Sequence, residues 1–416
     1  MIMDLIKKQR WMCFLLVVFC LTALPAFAEE KIRFGWLQVE PTVGYQGEYN
    51  DNIYRENTNT VDDYINTLSF GCNLRLQATR RDNFVNLGYH GDVVSYMDNN
   101  DNDYMAHNVD FGLGFKAPMG LYLKIDDQYL KTEDPYGSAN TYGEGEVVDR
   151  WHNDAAMIVG YEFADRYALE IGYKNFLQRY ANDINKYQDR VDNAYSVGFF
   201  YRLTGKTTVF GEFRMTDAEY DQQNDGLEGW NPGNSQDYAL NDYFIGARFE
   251  SGGKLSGTIK IGYGTKSYDN DDDRYGNKYE DSNQFISEST VNLEVTPQSV
   301  VTFHLQRSIK GSPDDVAASF VDTSLGVKLT QTIVARLKVN LGLEWVNTDY
   351  VDEYAGNPEK KHNMYKGWIG TTYNMREWLR FGAQYEYKTR NTSNVVYEDD
   401  YKYDANIFSL NADLLF

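Results

Sequence analysis

From Val39 onward, apolar and polar residues alternate over stretches of about 12 to 16 residues, the period of a β-strand with one face on an apolar medium and the other on water. Leu337, Val339, Leu341, Leu343 and Trp345 interleave with Arg336, Lys338, Asn340, Gly342 and Glu344. Leu169, Ile171 and Tyr173 do the same with Glu170, Gly172 and Lys174, and Phe381, Ala383, Tyr385 and Tyr387 with Arg380, Gln384, Glu386 and Lys388. Two kinds of interruption separate these stretches and take turns along the chain. Short ones fall at 79–82, 118–120, 165–166, 204–206, 251–254, 297–299, 331–332 and 375–377. Longer, mostly acidic ones fall at 55–62, 98–103, 133–149, 182–189, 221–237, 269–281, 311–315, 352–361 and 391–400.

Eight short turns and nine longer loops delimit eighteen strands, with sixteen as the alternative reading of the same boundaries. The pattern predicts an all-β fold: a transmembrane antiparallel up-and-down β-barrel of about 18 strands, both termini periplasmic, short turns on the periplasmic side and long loops outside. A soluble sandwich would also alternate, but it would not need so many strands and would bury the apolar face against a second layer.

The ends of the chain place this barrel in the outer membrane. Lys7, Lys8 and Arg10 precede an apolar run from Trp11 to Leu24, and Ala26-Phe27-Ala28 follows, which is the layout of a cleaved signal peptide over residues 1–28. Residues 29–38 are then a short periplasmic segment and 39–416 the barrel. The final strand carries Asn406, Phe408, Leu410, Ala412, Leu414 and Phe416 on one face, with Ile407, Ser409, Asn411, Asp413 and Leu415 on the other. It resembles the C-terminal strand by which the β-barrel assembly machinery recognises its clients, so Phe408, Leu410, Leu414 and Phe416 are the expected assembly signal.

Composition narrows the function. The chain carries a formal charge of −21, and loss of a signal with net +2 takes it to −23, which argues against a nucleic-acid partner. Its 34 Tyr, 22 Phe and 7 Trp argue against disorder. Cys13 and Cys20 leave with the signal, so the remaining Cys72 has no partner for an internal disulfide; alternation places it as a small apolar residue on the outward face. Asp269, Asp271 and Asp273 have calcium-loop spacing, but Arg274 stands where such a loop needs glycine, so no metal is assigned and the loops are read as solvated acidic surface. His90, His107, His152, His304 and His362 are scattered, and no Ser-His-acid or paired-carboxylate site can be assembled from spacing. The chain is read as no enzyme and without a cofactor.

The candidate lumen-lining residues are Arg75, Lys124, Glu170, Lys174, Arg214, Arg336, Lys338, Glu344, Arg380, Glu386 and Lys388, a wall of both signs, with Phe210, Phe244 and Tyr195 as aromatics that would narrow it. Sixteen to eighteen strands normally leave an aqueous channel.

The stretch Pro41-Thr-Val-Gly-Tyr-Gln-Gly-Glu-Tyr-Asn-Asp-Asn-Ile-Tyr54, followed by Asp62-Asp63-Tyr64-Ile65 and the strand to Leu76, resembles the opening of the β-barrel porin type 2 family. That resemblance implies a non-catalytic outer-membrane barrel of Gram-negative bacteria, associated with exopolysaccharide or capsule clusters and passing polymer across the outer membrane. Expected partners are outer-membrane lipid and lipopolysaccharide, the assembly machinery and a periplasmic polysaccharide export protein. The competing expectation is a structural or adhesive barrel whose lumen is closed and whose acidic loops are the working surface.

Overall fold

The computed structural model describes residues 32–78, 82–134, 148–182, 186, 188–221, 236–250, 252–272, 278–311, 317–353, 361–393 and 402–416. The predicted signal and residues 273–274 of the acidic loop lie outside them. Nineteen strands follow one another: β1 (Ile32–Phe34), β2 (Leu37–Asn50), β3 (Asp63–Gln77), β4 (Phe84–Tyr96), β5 (Tyr104–Lys116), β6 (Leu121–Asp134) and β7 (Val148–Phe163). Next come β8 (Tyr167–Tyr180), β9 (Arg190–Arg202), β10 (Thr207–Tyr220), β11 (Tyr238–Phe249), β12 (Leu255–Tyr268) and β13 (Ser282–Thr296). The last six are β14 (Ser299–Gly311), β15 (Ala317–Val334), β16 (Leu337–Glu353), β17 (Lys361–Arg376), β18 (Leu379–Thr392) and β19 (Tyr403–Leu415). A 3-10 turn, Asn100–Asn102, follows β4.

Every strand from β2 to β19 pairs antiparallel with its sequence neighbour, and β19 pairs back onto β2 from Ile407–Asn50 to Leu415–Thr42, closing an eighteen-stranded barrel with no free edge. The extra strand, β1, folds back on β2 through Ile32–Val39 and Phe34–Leu37. It occupies the same edge of β2 as β19 does, just past the point where the Phe416 N–H donates to the Pro41 carbonyl. Both described ends of the chain lie at the rim that carries the short turns.

The short turns fall where expected, apart from a small shift of the one at 375–377 to 377–378 and one larger displacement; most of 133–149, 221–237, 311–315, 352–361 and 391–400 lies outside the described residues. The turn expected at 331–332 lies at 335–336, because Thr332, Ile333 and Val334 favour extended backbone and carry β15 onward, absorbed by a register shift between Thr332 and Val334.

Outward positions follow the predicted alternation: on β16, Leu341 and Leu343 are exposed to the surroundings, as are Phe408 and Leu410 on β19. Where the apolar band ends towards the loop rim, tyrosine and tryptophan donate diagonally to asparagines on the next strand. Tyr45 Oη reaches Asn66 at 2.6 Å, Tyr173 reaches Asn193 at 2.8 Å, Tyr385 reaches Asn406 at 2.8 Å and Trp345 Nε1 reaches Asn363 at 3.2 Å. This is the arrangement of an interfacial girdle, ring in lipid and polar tip in headgroups.

The ladder has an internal gap on the lipid-facing wall. Between β12 and β13 the pairing stops after Thr258–Thr290 and resumes at Ile261–Ser287. There the Lys260 N–H donates to Ser289 Oγ at 3.0 Å, while Ser287 Oγ and Ser289 Oγ donate to the Lys260 carbonyl at 3.0 and 3.1 Å. Both serines belong to the outward series of β13, where an unsatisfied peptide group would cost several kcal/mol in lipid.

Candidate functional site

The inner wall is built by the complementary series: even-numbered positions of β2 and β4–β18, odd-numbered ones of β3 and β19. Arg75, Lys124, Glu170, Lys174, Arg214, Lys338, Glu344, Arg380, Glu386 and Lys388 all stand on it. Arg336 does not. It falls in the displaced turn and donates to the Met375 carbonyl at 3.2 Å, so it belongs to the rim. Phe210 and Phe244 face inward and are buried, whereas Tyr195 faces outward, 54 % exposed and ring to ring with Tyr173. On β9, Phe199, Phe200 and Tyr201 make both faces aromatic, which hides the parity of Tyr195.

Some of the inward charges pair with one another. Lys174 meets Asp154 at 2.8 Å, and Lys116 meets Glu162 at 2.8 Å. At mid-height, Arg214 binds Asp242 at 2.7 Å and Glu288 at 2.6 Å, and Lys260 binds Glu212 at 2.7 Å and Glu288 at 2.9 Å. The Phe244 ring lies between the two cations, 5.2 Å from the Arg214 guanidinium and 4.0 Å from the Lys260 ammonium. Desolvated cation–aromatic contacts of this kind contribute about 2 kcal/mol each.

A second network crosses β14 to β18. His304 Nε2 meets Ser324 Oγ at 2.9 Å, Ser324 donates to Glu344 at 3.0 Å, Lys366 lies 3.8 Å from Glu344 and 3.6 Å from Glu386, and Lys388 closes on Glu386 at 2.8 Å. Serine, histidine and carboxylate thus do come together, which spacing did not reveal. The same Nε2 faces both Ser324 and Glu344 (3.4 Å), so the acid does not orient the imidazole from its far nitrogen as nucleophilic catalysis requires. The group reads as a stiffened polar wall.

At the loop rim the wall becomes aromatic. Tyr96, Tyr180, Tyr220, Tyr238, Tyr350 and Tyr403 all point inward and are buried. Cations lie over them: Arg190 on Tyr220 at 5.8 Å, Lys266 on Tyr238 at 4.0 Å and Arg390 on Tyr403 at 4.7 Å. Burial raises the Asp189 carboxyl at this rim above its ordinary range, against the opposing effects of the Tyr180 N–H and Arg179. A tyrosine at or near the loop end of a strand, beside an acidic loop, is the sequence trace of this collar.

The first long loop turns into the mouth. Ile53 packs on Ile65, Val94 and Tyr96, all on the inner series, with Tyr54, Val61 and Tyr104 around them. Asn52 Nδ2 ties the loop to the Asp404 carbonyl at 2.8 Å. Asp63, almost fully buried, accepts the amides of Met97 at 3.0 Å and Asn99 at 2.9 Å and so holds the second loop. Among the described residues no cluster of His, Cys, Asp and Glu has the geometry of a metal site.

A closed, charge-lined barrel with an outward apolar band and an interfacial girdle defines a porin-like membrane β-barrel. Residues 25–414 match the family described as "Putative beta-barrel porin 2", and the chain belongs to that family. It is an outer-membrane barrel of the porin kind. Among solved structures the chain is similar to the outer membrane protein OpdK from Pseudomonas aeruginosa, with 13 % identity, a TM-score of 0.48 and coverage of 91 % of this chain and 99 % of that one. It is also similar to the FrpB iron transporter from Neisseria meningitidis, with 9 % identity, a TM-score of 0.49 and coverage of 93 % and 82 %. No curated protein matches the chain.

Proposed function

We propose that this barrel sits in the outer membrane of a Gram-negative bacterium and passes hydrated polar solute passively, with exopolysaccharide or capsular polymer as its cargo. The observation that supports this most directly is one wall, β8 to β12, on which cations and aromatic rings recur from rim to rim. Arg248 lies over Phe200 and Phe210, Arg214 and Lys260 over Phe244, and Lys266 and Arg190 over the collar tyrosines. A hydrated sugar chain needs such a surface: charges and amides for its hydroxyls, ring faces for its apolar sides. In this reading the short turns face the periplasm and the long acidic loops the exterior. Residues 1–28 are removed on export, the assembly machinery reads the strand ending at Phe416, and lipopolysaccharide surrounds the girdle. Translocation draws its energy from an inner-membrane polymerase and a periplasmic export protein.

The experiment is single-channel recording of purified protein in planar bilayers, alongside surface polysaccharide in a deletion strain. Steady conductance with polymer trapped in the periplasm is expected. The inward turn of residues 51–62 favours a second reading, a closed structural or adhesive barrel. Absent conductance at every salt concentration together with normal surface polysaccharide would establish that one instead.

A further inference from the structure

Behind the rim of short turns the wall opens into a cavity of about 500 Å³ lined by Tyr122, Glu170, Phe200, Arg202, Thr208 and Arg248. Register puts Thr208 directly opposite Arg202 on one side and Arg248 on the other. Two strand spacings of about 4.8 Å therefore separate the arginine backbones, close enough for both guanidiniums to reach one small anion. In a chain with 61 acidic and 40 basic residues, lumen cations at mid-height find acids; these two do not. Among the described residues neither side chain makes an ion pair or a hydrogen bond. Arg248 is held by rings, 5.1 Å from the Phe200 centroid and 6.0 Å from that of Phe210, which are themselves stacked at 5.1 Å. Gly246 makes room for that stack, since a Cβ there would sit 2.4 Å from Phe210 Cζ. The guanidinium is thus fixed in direction with its donors unspent.

Four acids line the same cavity, Glu162, Asp165, Glu170 and Glu250, and the first and third of them are engaged. Glu170 accepts from Tyr122 Oη at 2.6 Å, and Glu162 is neutralised by Lys116 at 2.8 Å. They keep lone pairs for hydroxyl donors.

We propose that this cavity is a subsite for a carboxylated sugar unit, a uronate: its carboxylate between Arg202 and Arg248 beside the Thr208 hydroxyl, its ring hydroxyls donating to Glu170. Planar guanidiniums match a carboxylate bidentately, and Phe200 and Phe210 are positioning residues for Arg248. The proposal deepens the conduit reading by naming the cargo as acidic polysaccharide, entered from this rim.

The test is calorimetric titration of the purified full barrel in detergent with trigalacturonate, and with maltotriose as the neutral counterpart. Trigalacturonate should bind and maltotriose should not at the same concentration. The R202Q/R248Q double variant should weaken trigalacturonate at least tenfold, and raising salt should weaken the wild type. Arg376→Gln, a cation at the same rim outside the cavity, should leave affinity unchanged. Should the double variant fail to fold, Arg248→Lys keeps the charge but loses the planar face, and should lower affinity severalfold. Equal binding of both sugars, no binding of trigalacturonate, or unchanged affinity in the arginine variants would overturn the proposal. A channel that conducts without binding sinks this subsite alone; binding without conductance sinks the conduit and leaves the subsite.

Discussion

Replacing Arg214 by methionine removes the hub of the mid-height network while keeping most of the side-chain volume. Arg214 Nε and Nη2 donate to Asp242 Oδ2 at 3.1 and 2.7 Å, and Nη2 donates to Glu288 Oε1 at 2.6 Å. The losses are unequal. The Asp242 side chain is 4 % exposed and is left without its cation, whereas Glu288 is 35 % exposed and keeps Lys260 at 2.9 Å. Breaking a fully buried pair costs about 3–5 kcal/mol, and a hydrogen bond to a charged group about 1.5–3. With water at Glu288 and Lys260 still in place, Arg214→Met should destabilise the barrel by about 2–4 kcal/mol. Adding Asp242→Asn removes the stranded charge and should recover about half of that. Urea unfolding in lipid, followed by heat-modifiable gel mobility, measures both. If the single variant unfolds at the wild-type midpoint, or if the second substitution recovers nothing, the network does not brace the barrel at mid-height.

Two further outcomes test the register and the ladder gap. In a Cys72→Ser background, a membrane-impermeant thiol reagent should label a cysteine substituted at Lys338 but not one at Val339; equal labelling would mean that the inner and outer series on β16 are misassigned. Replacing Ser287 and Ser289 together by alanine leaves the Lys260 peptide group unsatisfied at the lipid side and should cost about 2–4 kcal/mol by the same unfolding assay. A neutral result there would mean that ordinary ladder bonds close the gap in the membrane.

The faces of the strands were legible because lipid on one side and water on the other leave a period of two in the chain. Lys338 against Val339, and Phe408 and Leu410 against Ser409, needed nothing more. The turn at 335–336 was misplaced because Thr332, Ile333 and Val334 suit a strand as well as Gln331 does, and loop length alone did not mark the bulge. Tyr195 was misread because its strand is aromatic on both sides. The networks were out of reach for a different reason. Arg214 and Glu288 are 74 residues apart, and their meeting depends on the register of three successive hairpin pairings. The Ser324, His304 and Glu344 group has the same origin, as does the arginine pair flanking Thr208.

The girdle asparagines lie below the ends of their strands. β3 continues from Asn66 to Asp63, β9 from Asn193 to Arg190, β19 from Asn406 to Tyr403 and β17 from Asn363 to Lys361. At about 3.3 Å per residue and a tilt near 40°, that lifts the loop rim roughly 5–8 Å clear of the hydrocarbon. One continuous sheet therefore folds in two solvents. Below the girdle, the outward side chains meet lipid whether or not the strands are paired in a barrel. Above it, Ile53, Ile65, Tyr96 and the other collar tyrosines leave water on folding, as in a soluble core. That upper storey should carry a large heat-capacity increment of apolar hydration, about 0.45 cal/K/mol per Å² exposed, so cooling should loosen the mouth.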